Sequence, residues 1–352
     1  MSNERNLDLL EAKIEELRQL NSIDGIDLSG EIAKLETKLV ALRRELYASL
    51  SDWERVKIAR NPKRPYALDY IDGMFDGFYE LHGDRVIGDD RALLTGLASF
   101  NGQTVMVVAQ QKGRSTEENQ ERFFGMPRPQ GYRKAVRAMK MAERFGFPVI
   151  TFIDTPGAYP GVESEATNIG GAIAESLLVM SQLRTPILSV IIGEGGSGGA
   201  LAIGLADRVL MLENAVYTVI SPEGAAAILW KEKAKSVEAA TALNITADHL
   251  SDLGLIDAIV AEPLGGAHKD FEQSIQALEA SLTEYLGELV SIGIEDLVAA
   301  RFERYRSIGR YRELGKQRTD VPSEESTGAE PASTQSTSED PSPGSSEETP
   351  SE

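Results

Sequence analysis

The chain contains no cysteine and only three histidines in 352 residues. Without cysteine there is no disulfide, no thiol catalysis and no cysteine-ligated zinc in this chain, although a compartment does not follow from that alone. His82, His249 and His268 are the only imidazoles, which leaves few places for histidine-based acid–base chemistry. Long apolar runs are missing as well. None approaches the roughly 18 residues needed to cross a bilayer, so no membrane association is expected. Met1 to Asn6 is polar and leads into a charged segment, so no signal peptide is expected and the cytoplasm is the default location.

Positive charge is also short. There are 36 Lys and Arg against 55 Asp and Glu, a formal net charge of −19. About half of that excess lies between Thr319 and Glu352, a run of Ser, Glu, Pro and Thr with no Lys or Arg. Such a segment cannot bury enough apolar surface to offset its chain entropy, and it is expected to be disordered. The remainder is only mildly acidic, and nucleic acid is not an expected partner.

What is present begins with periodicity. Leu7, Leu10, Ile14 and Leu17 recur at steps of three and four, and after a break so do Ile32, Leu35, Leu39, Leu42 and Leu46. This spacing predicts an antiparallel helical hairpin that serves as an arm or docking element. Trp53 to Arg60 continues as helix and stops before Asn61-Pro62-Lys63-Arg64-Pro65. Leu93 to Phe100 and Thr104 to Gln110 read as strands joined at the turn pair Asn101-Gly102. A helix is expected from Pro129 to Arg144, with Arg133, Arg137, Lys140 and Arg144 as a basic stripe. That stripe reads as a solvated face, with an acidic partner or a CoA phosphate as the alternative. Beyond it, apolar strands at 148–153, 186–192, 209–212, 216–220 and 256–260 alternate with helices, which indicates an α/β core with parallel pairing. Helices fill 270–306. The boundaries expected are a hairpin at 1–60, a core at 61–268, helices at 269–315 and the acidic tail at 316–352.

The densest signal is Gly193-Glu194-Gly195-Gly196-Ser197-Gly198-Gly199, between a predicted strand and a predicted helix. Glycines let backbone N–H groups come close to a bound atom, and a helix N-terminus favours negative charge there. Four meanings compete. Gly193-x-Gly195-x-x-Gly198, with Glu213 as the acidic partner, is a dinucleotide fingerprint. Gly195-x-Ser197-x-Gly199 is a nucleophile elbow, which makes Ser197 a hydrolase nucleophile with His249 or His268 as its base. Gly198 and Gly199 as paired backbone donors form an oxyanion hole. The fourth meaning is a tight turn in which glycine only permits packing. A second Gly/Pro loop, Thr155 to Gly161, ends an earlier strand, which a dinucleotide half-domain does not need. Nothing in sequence specifies either histidine as a base. Two such loops suit a reaction in which a carbonyl oxygen gains charge and is held by backbone N–H groups.

The motifs Arg64-Pro65-Tyr66, Gly83-Asp84-Arg85, Gln111-Lys112-Gly113-Arg114, Phe124-Gly125-Met126-Pro127, Asp154 to Gly161, Gly193 to Gly204, Ile220 to Gly224 and Glu262 to His268 follow one another in order, within a likeness that covers roughly residues 5 to 310. Together they resemble the α subunits of the acetyl-CoA carboxylase carboxyltransferase of bacteria and plastids. The resemblance implies a crotonase-like α/β fold of ββα units, with the N-terminal hairpin and C-terminal helices attached. It implies transfer of CO2 from carboxybiotin, borne by a biotin carboxyl carrier protein, to acetyl-CoA, giving malonyl-CoA for fatty acid synthesis. Biotin carboxylase consumes the ATP elsewhere in the complex, so neither nucleotide nor metal is expected on this chain. A β subunit with a zinc ribbon is the implied partner, in an α2β2 assembly. The family's mechanism holds the biotin ureido oxyanion on backbone N–H groups of the α loop, while the enolate of the thioester sits in a matching hole on β. Carried over, Gly198 and Gly199 are the catalytic donors, and Gly157, Ala158, Tyr159, Gly195, Gly196 and Ala200 line the substrate. The sequence departs from the family pattern at Gln110, where a His is common, at Phe123, where an Asn is common, and at Ala166-Thr167-Asn168-Ile169-Gly170, where an Arg-Gly-Gln element is usual.

Overall fold

The computed structural model describes residues 2–23 and 27–309. The expected acidic tail, and the end of the expected C-terminal helical region from residue 310, lie outside the described residues.

Helices α1 (Ser2–Ile23) and α2 (Ser29–Ala48) form the expected hairpin. Ile14 and Leu39 are buried between them, with Leu10, Ile32, Leu35 and Leu42 packed around, and Arg18 clasps Glu36 at 2.6 Å. The side chains of Leu7 and Leu46 are outside the described ones. Helix α3 (Asp52–Ala59) opens on a capping box in which Ser51 Oγ accepts from Glu54 N and the Glu54 carboxylate accepts from Ser51 N. A short α4 (Ala67–Met74) then leads into the sheet.

Among the described residues the sheet has eight strands. In chain order, β1 (Asp76–Glu80), β2 (Leu93–Phe100) and β3 (Gln103–Gln110) are followed by helices α5 (Thr116–Glu121) and α6 (Pro129–Phe145). Next come β4 (Val149–Thr155), α7 (Val162–Ala166), α8 (Ile169–Gln182), β5 (Ile187–Gly196), α9 (Ser197–Leu201), β6 (Arg208–Leu212) and β7 (Val216–Thr218). The described chain closes with α10 (Pro222–Leu229), α11 (Ser236–Leu243), α12 (Ala247–Asp252), β8 (Ala258–Val260), α13 (Phe271–Val290) and α14 (Ile294–Ser307). Spatial order is β1-β2-β3-β4-β5-β6-β8, with β7 beside the end of β5. The first three strands are antiparallel, and from β3 onward every pair is parallel. Asn101 and Gly102 take positive φ angles of 49° and 77°, as a two-residue hairpin turn requires. All seven residues of β4 are buried, as befits a parallel strand covered on both faces.

Three expectations change. The glycine segment is not a loop through most of its length: β5 continues to Gly196, because Glu194, Gly195 and Gly196 pair in parallel with Val216, Tyr217 and Thr218 of β7. Strand β1 was not expected, since Asp76–Glu80 has no strong alternation and its pairing with β2 is irregular. The basic stripe of α6 is not a solvated face in its N-terminal half. Arg133 donates to Asp84 at 2.9 Å and to the Thr167 carbonyl, and Arg137 donates to the carbonyls of Gly83 and His82. Those contacts pin the 82–89 loop, while Lys140, farther along, remains exposed beside Glu175 at 3.5 Å. At the other end, buried Arg301 of α14 forks onto Asp207 at 2.8 and 2.7 Å and donates to the carbonyls of Met180, Leu183 and Thr185, tying the last helix to the sheet.

Candidate active site

Parallel strands place ligands beyond their carboxyl ends, and three such ends meet here: Gln110 of β3, Asp154-Thr155 of β4 and Gly196 of β5. The chain leaving β4 and the turn leaving β5 touch backbone to backbone. A Cβ on Gly196 would lie closer than 3.0 Å to the carbonyls of Pro156 and Thr155, and one on Gly199 equally close to Ala158 N and Gly157 C. Glycine at 196 and 199 is therefore demanded by close approach. Gly198 differs, because a Cβ there would meet only Ile173 at an ordinary 3.6 Å.

Helix α9 is a single turn, with Gly196 at its N-cap and no side chain capping it. Gly198 and Gly199 supply the second and third N–H groups of that turn, which have no acceptor within the helix. Gly157 has φ 154°, and a Cβ on it would meet nothing within 4 Å, so the β4 loop leaves open space beside the turn. Tyr159 is anchored by its N–H to the Pro127 carbonyl at 3.0 Å, and its ring meets Phe123 edge-on at 4.9 Å between centroids. The Arg128 guanidinium lies over the Phe123 ring, 4.0 Å from its centre. Gly157, Ala158 and Tyr159 thus come together with Gly198 and Gly199. Gly195, Gly196 and Ala200 are buried and build the turn: Gly195 packs on the Tyr217 ring. Asn168, in the departing 166–170 stretch, takes φ 65° and caps α8 through its side chain to Gly171 N at 3.0 Å.

Beneath the turn lies a connected set of charges. Lys112 Nζ is 2.6 Å from Asp154 Oδ1 and 3.3 Å from Glu194, and Arg60 joins Glu194 at 2.7 Å to Glu223 at 2.5 Å. Burial alone would push the Lys112 ammonium down, but Asp154 and Glu194 outweigh it and hold it above the ordinary lysine value. Burial works to raise Glu194, and Lys112 and Arg60 together keep it below the usual carboxylate range. Asp154 Oδ1 also accepts from Glu194 N at 2.9 Å. Deeper still, Arg64 and Glu262 form a fully buried bidentate pair at 2.8 and 2.5 Å, and Arg64 Nε donates to the Ile192 carbonyl at 2.8 Å. Arg64 and Glu262 are sealed from solvent, whereas Arg60 and Glu223 stay partly exposed.

The hydrolase reading of Ser197 does not survive. Its φ of 53° suits a strained strand-to-helix elbow, and the residue is exposed. Yet His82 pairs with Asp89 at 3.0 Å, His249 with Thr246 at 3.0 Å and His268 with Asn61 at 3.3 Å, and none bonds to Ser197. The dinucleotide reading fails as well, because Glu213 accepts from Glu262 N at 3.1 Å and its segment Gly193–Gly196 is strand, not phosphate loop. Among the described residues no cluster of three metal-ligating side chains occurs. Gln110, which stands out in sequence only as a departure, and Lys112 and Tyr132, which carry no site signal in sequence, also belong here: Tyr132 donates its hydroxyl to Gly199 O at 3.2 Å. The available signal was a polar side chain ending an apolar strand, as at Gln110 and Asp154.

Residues 1–309 match the family model described as acetyl co-enzyme A carboxylase carboxyltransferase-like. A protein of Nitrosomonas europaea named acetyl-coenzyme A carboxylase carboxyl transferase subunit alpha is 52% identical over 309 residues, covering 88% of this chain and 96% of that one. Its namesake from Paraburkholderia phytofirmans is 53% identical over 304 residues, covering 86% and 94%. Among solved structures, a transcarboxylase 12S chain with methylmalonyl-coenzyme A bound aligns with TM-score 0.50 at 24% identity, over 64% of this chain and 44% of that one. A Pseudomonas malonate decarboxylase hetero-tetramer in complex with coenzyme A aligns with TM-score 0.52 at 19% identity, over 63% and 89%. At such identities the structural likeness establishes the fold, which is crotonase-like.

Proposed function

The chain belongs to the family of acetyl-CoA carboxylase carboxyltransferase alpha subunits, and from that premise we propose that its two glycine turns form the oxyanion-binding half of a CO2-transfer site. The observation that carries the proposal is the uncapped first turn of α9, wedged backbone to backbone against the 155–158 loop. Gly198 and Gly199 N–H groups stabilise negative charge as it develops on an oxygen, a role that needs no titratable side chain. Gly157, Ala158 and Tyr159 border the open space where that oxygen arrives. Carboxybiotin on a carrier protein supplies the transferable carboxyl group and the ureido oxygen. What this chain does is orient that oxygen, exclude competing donors and leave proton transfer to other groups.

The acceptor in this proposal is acetyl-CoA and the product malonyl-CoA. The second hole, for the enolate, belongs to a β subunit with a zinc ribbon, in an α2β2 complex that works with biotin carboxylase in the cytoplasm. Exposed Val219, Ile228, Leu229 and Trp230, on and flanking α10, favour a protein partner on this chain, because a cluster of large apolar side chains left in water is unfavourable. No described helix is long and apolar enough to cross a membrane. The hairpin at 1–60 is a docking arm, the 61–268 segment the transferase core and the helices from 269 its brace.

Reconstitution tests the proposal. Full-length protein mixed with a competent zinc-ribbon β subunit, a carboxylated biotin donor and acetyl-CoA is expected to yield malonyl-CoA, and no product from that mixture contradicts the proposal. Ser197→Ala should keep the rate within about threefold, whereas loss of a triad serine costs about 10⁴-fold or more.

A further inference from the structure

We propose that Gln110 is a positioning residue that sets the orientation of the Gly198-Gly199 backbone by clamping the Gly199 carbonyl to the end of β4. The inference rests on the oxyanion role proposed above. Gln110 is completely buried at the last position of β3. Its Nε2 donates to Gly199 O at 2.7 Å, and its Oε1 accepts from Asp154 N at 3.1 Å. One side-chain amide thus spans the two chain segments that build the site. Tyr132 of α6 donates its hydroxyl to the same Gly199 oxygen at 3.2 Å. Burial pushes that phenol well above its ordinary value, so it remains a donor.

The clamp replaces what a longer helix would provide. In a continuing helix the Gly199 carbonyl would accept from the residue-203 N–H, but Ile203 N donates to Ala200 O instead. Two adjacent glycines have the widest backbone freedom of any pair, and here side chains remove it. The amide also has only one workable orientation. Flipped, it would set oxygen against the Gly199 carbonyl and NH2 against the Asp154 N–H, two repulsive contacts. Pre-set donors are what oxyanion stabilisation requires, so loosening this clamp should reach the rate even though Gln110 touches no substrate.

The test uses full-length α reconstituted with its β partner. Gln110→Glu keeps shape and the bond from Asp154 N, but a carboxylate cannot donate to Gly199. Groups facing this position are Tyr132 from α6, Asp154 from β4, Glu194 from β5 and Lys112 beyond β3, and α9 contributes no titratable side chain. Near pH 8 the variant's kcat should fall about 30-fold or more with KM for acetyl-CoA nearly unchanged. Acidification protonates the introduced carboxyl and restores a donor, so the variant-to-wild-type rate ratio should rise several-fold towards pH 6. Gln110→Met should lose activity without that acid recovery, and Tyr132→Phe should lose about threefold to tenfold. Amide hydrogen exchange over 197–200, read without turnover, should be at least about tenfold faster in Gln110→Met. Wild-type kcat, pH profile and exchange in these variants overturn the inference. If the Gln110 variants do not fold, the rate and exchange of Tyr132→Phe decide it: a loss with faster exchange supports the clamp, and wild-type values overturn it. Faster exchange alongside an inactive wild-type complex instead upholds the clamp and overturns the transfer role.

Discussion

Gly199→Ala is expected to cut malonyl-CoA formation about 100-fold or more, the scale of a misplacement near 1 Å in an active site. Its Cβ would enter the space held by Ala158 N and Gly157 C, and backbone atoms cannot swing aside as a flexible side chain does. The two turns must therefore separate, which moves the α9 N–H groups away from the 157–159 loop. Overpacking of this kind also costs about 1–3 kcal/mol of stability. Gly198→Ala is the matched control. Its Cβ has ordinary room at 3.6 Å from Ile173, so the rate should stay within about threefold, a small effect typical of unstrained sites. Steady-state kinetics and thermal unfolding of both variants check the pair. Equal losses at 198 and 199 would mean that glycine serves some purpose other than the contact between the turns.

Glu262→Gln should produce the largest loss of stability, about 3–5 kcal/mol, because it leaves the Arg64 guanidinium buried without its counter-charge. Both side chains of the pair are 1% exposed, so solvent screening does little. Glu262 further accepts from Asn214 N at 3.0 Å and from Ala267 N at 2.7 Å, so the change strains two loops as well. Burial acts to raise the Glu262 carboxyl, yet the Arg64 charge outweighs it and holds the group below its ordinary value. A carboxylate depressed in this way stabilises the folded state above its unfolded pKa of about 4.3 and loses that contribution as pH falls through the lower folded value. The deficit of Glu262→Gln should accordingly be full near neutral pH and shrink in acid. Urea unfolding at several pH values measures it, and a deficit independent of pH would show that the ion pair is not its source. Arg64→Met combined with Glu262→Leu should recover part of the loss, since it removes both charges together.

Local features of this fold were legible in the sequence. Asn101-Gly102 specified its hairpin, and the leucine spacing specified the α1–α2 pair. The site was legible to the extent that it depends on glycine, because close approach of two turns permits little else at 196 and 199. What escaped is long-range. Strand character at Gly193–Gly196 comes from pairing with β7, which no local propensity records. Gln110 reaches Gly199 across 89 positions and Arg64 reaches Glu262 across 198, so their partners could not be read from spacing. The α6 stripe was misjudged for the same reason: its arginines hold a loop 49 and 54 positions away.

The proposed mechanism assigns stabilisation of the charge that develops on the ureido oxygen to a backbone N–H of the glycine turn, and not to a side chain. Replacing the Gly198–Gly199 peptide bond by an ester removes the Gly199 N–H and only weakens the Gly198 carbonyl, which accepts from Ala202 N at 3.0 Å. With the β partner present, the rate of malonyl-CoA formation should fall about 10²–10³-fold, the usual effect of deleting one oxyanion donor, while the thermal midpoint barely moves. An ester protein that transfers the carboxyl group at the wild-type rate would contradict that role for the turn.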